Sequence, residues 1–161
     1  FDLALASTKT KKLADGSDYL QINPKGQVPM LELDSGERLT EGPVIAQYIA
    51  DLAPASGLAP AAGTMARYRL MEWLNFITSE LHKGFSPLFT PGMPEEAKAM
   101  GRTRVTDRLA WVNTQLKGKS YLMGDTFTVA DAYLFTVSNW CAPVVTRVKM
   151  CRRRSCAAMC S

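Results

Sequence analysis

Cysteine is missing from residues 1–140; all four cysteines, Cys141, Cys151, Cys156 and Cys160, fall in residues 141–161. The body of the chain therefore has no thiol and no disulfide framework. Acidic residues are missing from that same final segment, which carries Arg147, Lys149, Arg152, Arg153 and Arg154. Of 19 Lys and Arg residues, 14 lie in residues 1–140 against all 15 Asp and Glu, so the net charge of +4 becomes −1 over the body. Five cations without interleaved aromatics make a weak nucleic-acid footprint. Cys151, Cys156 and Cys160, spaced unlike C-x₂₋₄-C pairs and with no histidine nearby, make a poor zinc site. Neither a nucleic-acid partner nor a metal is expected. Long apolar runs are missing too: nothing approaches a membrane span and no charged-then-apolar signal opens the chain, so a cytoplasmic protein with no membrane partner is expected. What is present is ordinary, 47% hydrophobic and 21% charged in 161 residues. A chain of that length buries roughly 70% of its unfolded surface, enough for one or two modest cores.

Two patterns follow one another along the chain. FDLALA (1–6) alternates as a strand does, and polar, Lys-rich residues 7–17 follow it. VPMLEL (28–33), the turn Asp34-Ser35-Gly36 and a return strand at 37–40 form a hairpin signature. Pro43 suits the first position of a helix on which Ile45, Tyr48, Ile49 and Leu52 recur at helical spacing, an apolar stripe expected to lie on the sheet. PASGLAPAAGT (54–64) reads as a linker. Beyond it the period is helical. Leu70, Leu74, Ile77 and Leu81 stripe a helix expected over 64–89, and Val105, Leu109, Val112 and Leu116 stripe another over 94–117. Phe127-Thr128-Val129-Ala130-Asp131 approaches a capping box with a hydrophobic staple, so Thr128 and Asp131 are expected to be structural. The expected organisation is an α/β part over 1–53, a linker over 54–64, a helical part over 65–140, and a basic, Cys-rich tail over 141–161.

Some residues could carry chemistry. Asn75, Ser79 and His82, at i, i+4 and i+7, form a polar stripe that reads either as a solvated face or, among Trp73, Phe76, Leu81 and Phe85, as the lining of a cleft. Glu41-Gly42-Pro43 opens a helix, either as a plain start or as an anion site, where free N–H groups and the dipole favour a carboxylate or phosphate. A cis Val28–Pro29 bond would turn the preceding backbone groups outward for a ligand.

INPKGQVPMLELDSG, LTEGPVIAQYIAD, RYRLMEWLNFITSELHKGFSPLF and FTVADAYLFTV, in that order and spacing, resemble the bacterial beta class of glutathione S-transferases over residues 1 to about 140. The resemblance implies a thioredoxin-like domain followed by an all-helical one and, in the full-length protein, a homodimer and conjugation of glutathione to small hydrophobic electrophiles. Val28 would pair its backbone with the cysteinyl part of glutathione; Gln27, Glu41 and Gly42 would hold the γ-glutamyl end, and Lys11 the glycyl carboxylate. Asn75, Ser79, His82 and Lys83 match residues on the thiol side, with His82 and Lys83 as catalytic candidates. The family more often has serine where Gly42 stands, which removes one hydroxyl hydrogen bond. Residue 1 resembles the start of the family's second strand, so the chain is expected to be a fragment without the strand and helix that carry the family's cysteine. No nucleophile carries over to Cys141 or the tail thiols. The resemblance is expected to stop near Trp140, with a frame change as the origin of residues 141–161. The other reading is a non-catalytic chain that binds glutathione weakly or only pairs with an intact subunit.

Overall fold

The hairpin expected from VPMLELDSGERLT forms in the computed structural model, which describes residues 1–141. Strand β1 (Met30–Glu32) pairs antiparallel with β2 (Arg38–Thr40), setting Leu31 opposite Leu39 and Glu32 opposite Arg38. The charged cross-strand pair is closed by Arg38 Nε donating to Glu32 Oε2 at 2.8 Å. The Val28–Pro29 peptide bond leading into β1 is cis. Helix α1 (Gly42–Leu52) follows.

Two expectations for this part are corrected. FDLALA is not a strand: it makes one antiparallel bridge, Ala6 to Leu13, and Leu3 and Leu5 are exposed. Alternation supplies a side-chain pattern but no ladder, and a short run without a paired neighbour does not become sheet. On α1, Ile45 is buried and Tyr48 half-buried, whereas Ile49 and Leu52 are exposed, so the apolar stripe is only partly covered. Ala50 is buried in its place.

The chain divides into two units, residues 1–49 and Ala50 onward, with the division inside α1. Tyr19 and Ile45 are the buried apolar residues of the first. The second is helical, and beyond Thr40 the described residues contain no strand: α2 (Met65–Phe76), α3 (Ser86–Phe89), α4 (Glu95–Gln115) and α5 (Val129–Ser138). Thr64 caps α2 by accepting from the Arg67 backbone N–H at 3.2 Å. Leu70, Leu74, Ile77 and Leu81 are buried as their spacing predicts, as are Val105, Leu109 and Val112 of α4; Leu116 is half-buried. Arg67 is buried, donating to the Pro60 carbonyl at 2.7 Å and to the Asp51 carboxylate. This hydrogen bonding holds the Asp51 carboxyl below the usual carboxylate range.

The helix expected over 64–89 is not continuous. Ile77–His82 forms a π-helical stretch, Lys83–Phe85 a 3₁₀ turn, and α3 resumes only at Ser86. Pro87 offers no N–H to the carbonyl of Lys83, which instead accepts from Ser86. Gly84 also tightens the path, because a Cβ there would come within 3.1 Å of Val105 on α4. The turn thus packs directly on α4, and glycine is what lets it approach.

Glu80, within the π stretch, joins this segment to α4: Arg108 Nε donates to its Oε2 at 2.7 Å and Arg104 Nη2 at 3.2 Å. These bonds lower the Glu80 pKa, Arg108 most. A carboxylate with a depressed folded-state pKa stabilises the fold above its unfolded pKa, and that contribution disappears as pH falls through the folded value. Glu80→Gln is therefore expected to lower the melting temperature at neutral pH, with the gap from wild type closing as the pH is taken below the ordinary carboxylate range. A gap independent of pH in calorimetric scans would assign its role to packing.

Candidate functional site

In the first unit the polar groups gather around the residues before β1. Tyr19, the buried first residue of a short 3₁₀ turn (Tyr19–Gln21), donates its hydroxyl to the Gln27 carbonyl at 2.7 Å, and buried Asn23 donates Nδ2 to the same oxygen at 2.8 Å. Two buried side chains thus fix the peptide that precedes Val28, whose own side chain is exposed. Lys11 lies over Gly26 and donates Nζ to its carbonyl at 2.8 Å. Gly26 has φ +60°, and a Cβ on it would meet Leu20 at 3.0 Å and the Lys11 stem at 3.3 Å, so glycine serves both the turn and the lysine's path.

Glu41 stands at the start of α1 with φ +70°. Its carbonyl accepts from Val44 at 2.9 Å and Ile45 at 3.0 Å, so it already belongs to the helix's hydrogen bonding while its backbone is left-handed. Its Oε1 accepts from Lys25 Nζ at 2.9 Å, and the same ammonium reaches Thr40 Oγ1 at 3.0 Å. A glutamate held in this conformation costs of order 1–3 kcal/mol, which the rest of the fold must offset. At Gly42 a Cβ would meet only the Pro29 ring, at 3.6 and 3.7 Å, so packing there has room for the family's more usual serine.

In the second unit the polar stripe is split by the change of helix type. Asn75 and Ser79 are exposed, with Ser79 donating its hydroxyl to the Asn75 carbonyl at 3.0 Å. His82 is half-buried at the end of the π stretch: its Nδ1 lies 2.7 Å from the Tyr133 hydroxyl of α5, and its ring stands edge-on to Trp140 at 4.8 Å. Lys83, next in the chain, is exposed. The aromatic group continues through Phe85 and Phe89, with centroids 5.8 and 5.9 Å from Trp140. An imidazole beside an apolar, partly exposed wall suits an anionic nucleophile with an apolar reactant. Cys141 is the only cysteine among the described residues; it is buried, and burial pushes its thiol pKa up, which makes it a poor nucleophile. The tail cysteines and the expected frame change lie outside the described residues. Among the described residues no group of His, Cys, Asp and Glu is placed to hold a metal ion, and no helix is long and apolar enough to cross a membrane.

Tyr19, Asn23, Lys25 and Tyr133 were not singled out by sequence. Asn-Pro at 23–24 marks a turn, and Tyr133 follows the capping box by two residues, but nothing in the linear order pairs Lys25 with Glu41 or Tyr133 with His82.

Residues 4–51 match the family described as glutathione S-transferase, N-terminal domain, and residues 76–154 that described as glutathione S-transferase, C-terminal domain. The second match runs past Trp140, where the resemblance was expected to stop. Glutathione S-transferase GstA of Escherichia coli O157:H7 is 49% identical over 140 residues, spanning 87% of this chain and 70% of that protein. Among solved structures, the bacterial beta class glutathione S-transferase of Sphingomonas chungbukensis superposes with a TM-score of 0.89 at 45% identity, covering 99% of this chain and 79% of that one. A sphingomonad glutathione S-transferase complexed with glutathione gives 0.86 at 42%, covering 97% and 83%.

Proposed function

Because the chain belongs to the glutathione S-transferase family, with a thioredoxin-like N-terminal part and a helical C-terminal part, we propose that it conjugates glutathione to small hydrophobic electrophiles. The observation that carries the reading is Glu41, a non-glycine residue held at φ +70° at a helix start with its carboxylate on an ammonium group, Lys25. An α-amino group is the ligand feature such a carboxylate recognises, and the γ-glutamyl end of glutathione has one. Gln27 and Gly42 assist there. Val28, its preceding peptide fixed by Tyr19 and Asn23, offers backbone groups to the cysteinyl part, and Lys11 offers charge to the glycyl carboxylate. Asn75, Ser79, His82 and Lys83 serve the sulfur: a positive charge or N–H donor beside it favours thiolate over thiol. The thiol proton leaves to solvent, the sulfur forms a bond to the electrophilic carbon, and the leaving group departs with its electron pair. The reading extends to a homodimer in the cytoplasm and to a glutathione-binding part over 1–53, a linker over 54–64 and a helical part over 65–140.

A second reading is binding without turnover, the alternative for residues 1–161 taken by themselves. Both are tested on the purified chain from a host lacking its own transferases, with glutathione and 1-chloro-2,4-dinitrobenzene. Glutathione-dependent product is expected. Retention on immobilised glutathione without product would support the second reading, and neither retention nor product would overturn both.

A further inference from the structure

The Tyr133 hydroxyl lies 2.7 Å from His82 Nδ1 and is also approached by Thr78 Oγ1 at 3.5 Å, while Thr78 donates to the Leu74 carbonyl at 2.9 Å. We propose that Tyr133 is the positioning residue for His82: its hydroxyl holds the imidazole by Nδ1, so that His82 acts on the ligand's sulfur through Nε2. The inference rests on the transferase reading for the role of His82, but the bond itself does not.

Three features make this more than a surface contact. His82 closes a π-helical stretch, whose wider turn leaves the backbone alone a poor guide to where the ring points, so the ring's direction must be set from outside the segment. Two groups set it. Trp140 packs edge-on against the imidazole at 4.8 Å, restricting its rotation, and Tyr133 fixes which nitrogen faces the protein. The two ring nitrogens of a histidine are distinct, and the hydrogen bond made by one sets which of them carries the proton and so the task of the other. Tyr133 is itself held: it sits on α5 two residues after Asp131, whose capping box fixes where that helix begins. Thr78, on the same π stretch as His82, has its hydroxyl proton on the Leu74 carbonyl at 2.9 Å and leaves its oxygen 3.5 Å from the Tyr133 hydroxyl. Aligning a hydrogen-bonding group with a developing or anionic sulfur is worth rate only when the group is already in place, which is what a fixed ring supplies.

His82 is the only histidine in the sequence, so an imidazole nitrogen spectrum of ¹⁵N-labelled, tag-free protein reads it without assignment. Tyr133→Phe removes the hydroxyl and keeps the ring. In wild type, Nδ1 and Nε2 are expected to give separate resonances of unlike type, with Nδ1 carrying the signature of a hydrogen bond. In Tyr133→Phe the Nδ1 resonance is expected to move and the two forms of the ring to mix. In the conjugation assay kcat is expected to fall about threefold to tenfold, the worth of one hydrogen bond, with KM for glutathione changed by less than about twofold. His82→Ala is run alone and with Tyr133→Phe, and the double variant is expected to be no slower than His82→Ala. An imidazole spectrum unmoved by Tyr133→Phe overturns the inference whatever the activity. A moved spectrum with unchanged kcat, or a double variant slower than His82→Ala, overturns the positioning role. His82→Ala at full activity instead overturns the assignment of His82 to the sulfur, and the spectrum then still decides whether the bond exists.

Discussion

Asp131→Ala is expected to lower stability by about 3 kcal/mol, a fall of roughly 6–12 °C in melting temperature, while molecules that remain folded keep their turnover. Asp131 is buried, and its carboxylate accepts three hydrogen bonds: from the Thr128 backbone N–H at 2.9 Å, the Thr128 hydroxyl at 2.9 Å and the Leu122 backbone N–H at 2.8 Å. A capping box alone is worth about 1 kcal/mol. Here the same carboxylate also ties down the loop before the helix, and alanine would leave the buried N–H groups of Leu122 and Thr128 without partners. An unsatisfied buried donor costs about 1–3 kcal/mol, which is why the expected loss exceeds that of an ordinary cap. Asparagine should recover only part of it, because its amide nitrogen would face a donor. Differential scanning calorimetry beside turnover per folded molecule checks the division. A variant as stable as its parent yet inactive would place Asp131 in the chemistry instead of the fold.

At Glu41 the expected effects on binding and stability have opposite signs. Glu41→Gly should raise stability by about 1 kcal/mol, because glycine adopts φ +70° without the steric cost a glutamate bears there. The ion pair with Lys25 is lost in the exchange, but both side chains are at least half exposed, where such pairs contribute little. Affinity for glutathione should fall by roughly 10- to 100-fold, the worth of a hydrogen bond between charged partners. Glu41→Gln separates the two effects: it keeps the backbone cost and an acceptor oxygen, so its stability should stay near wild type while its affinity falls by less. Melting curves and titration calorimetry with glutathione provide both readings. A glycine variant that binds as tightly as its parent would remove Glu41 from the ligand, and one that melts lower would show that the conformation is not strained.

Much of this was legible in the residues taken in order. A 3.6-residue recurrence of leucine, isoleucine and valine after residue 64 was enough to name the buried stripe of α2 and most of that of α4, because burial in a helical bundle follows spacing. Asp34-Ser35-Gly36 between alternating segments was enough for the hairpin, and Thr128 with Asp131 for a helix start, since turns and caps are local chemistry. Where the pattern misled, the missing information was a partner. FDLALA alternates as a strand does but forms no ladder, and Ile49 and Leu52 keep helical spacing yet stay exposed.

The candidate site divides along the same line. Sequence supplied its chemistry by residue type and motif: the carboxylate of Glu41, the Val28-Pro29 pair and the imidazole of His82, whereas the cis state of the Val28–Pro29 bond was fixed by the structure. Tertiary structure alone decided how each is held. Tyr19 and Asn23 fix the Gln27 carbonyl, Lys25 reaches Glu41 across 16 positions of the chain, and Tyr133 meets His82 across 51. The 3₁₀ turn that follows His82 likewise packs on α4 only through the close approach of Gly84 to Val105, a contact the chain order does not display. Periodicity, caps and turns act between neighbours a few residues apart, so the chain order displays them. The direction of a side chain is set by whichever groups the folded core brings against it, and those are fixed only when the whole core is packed.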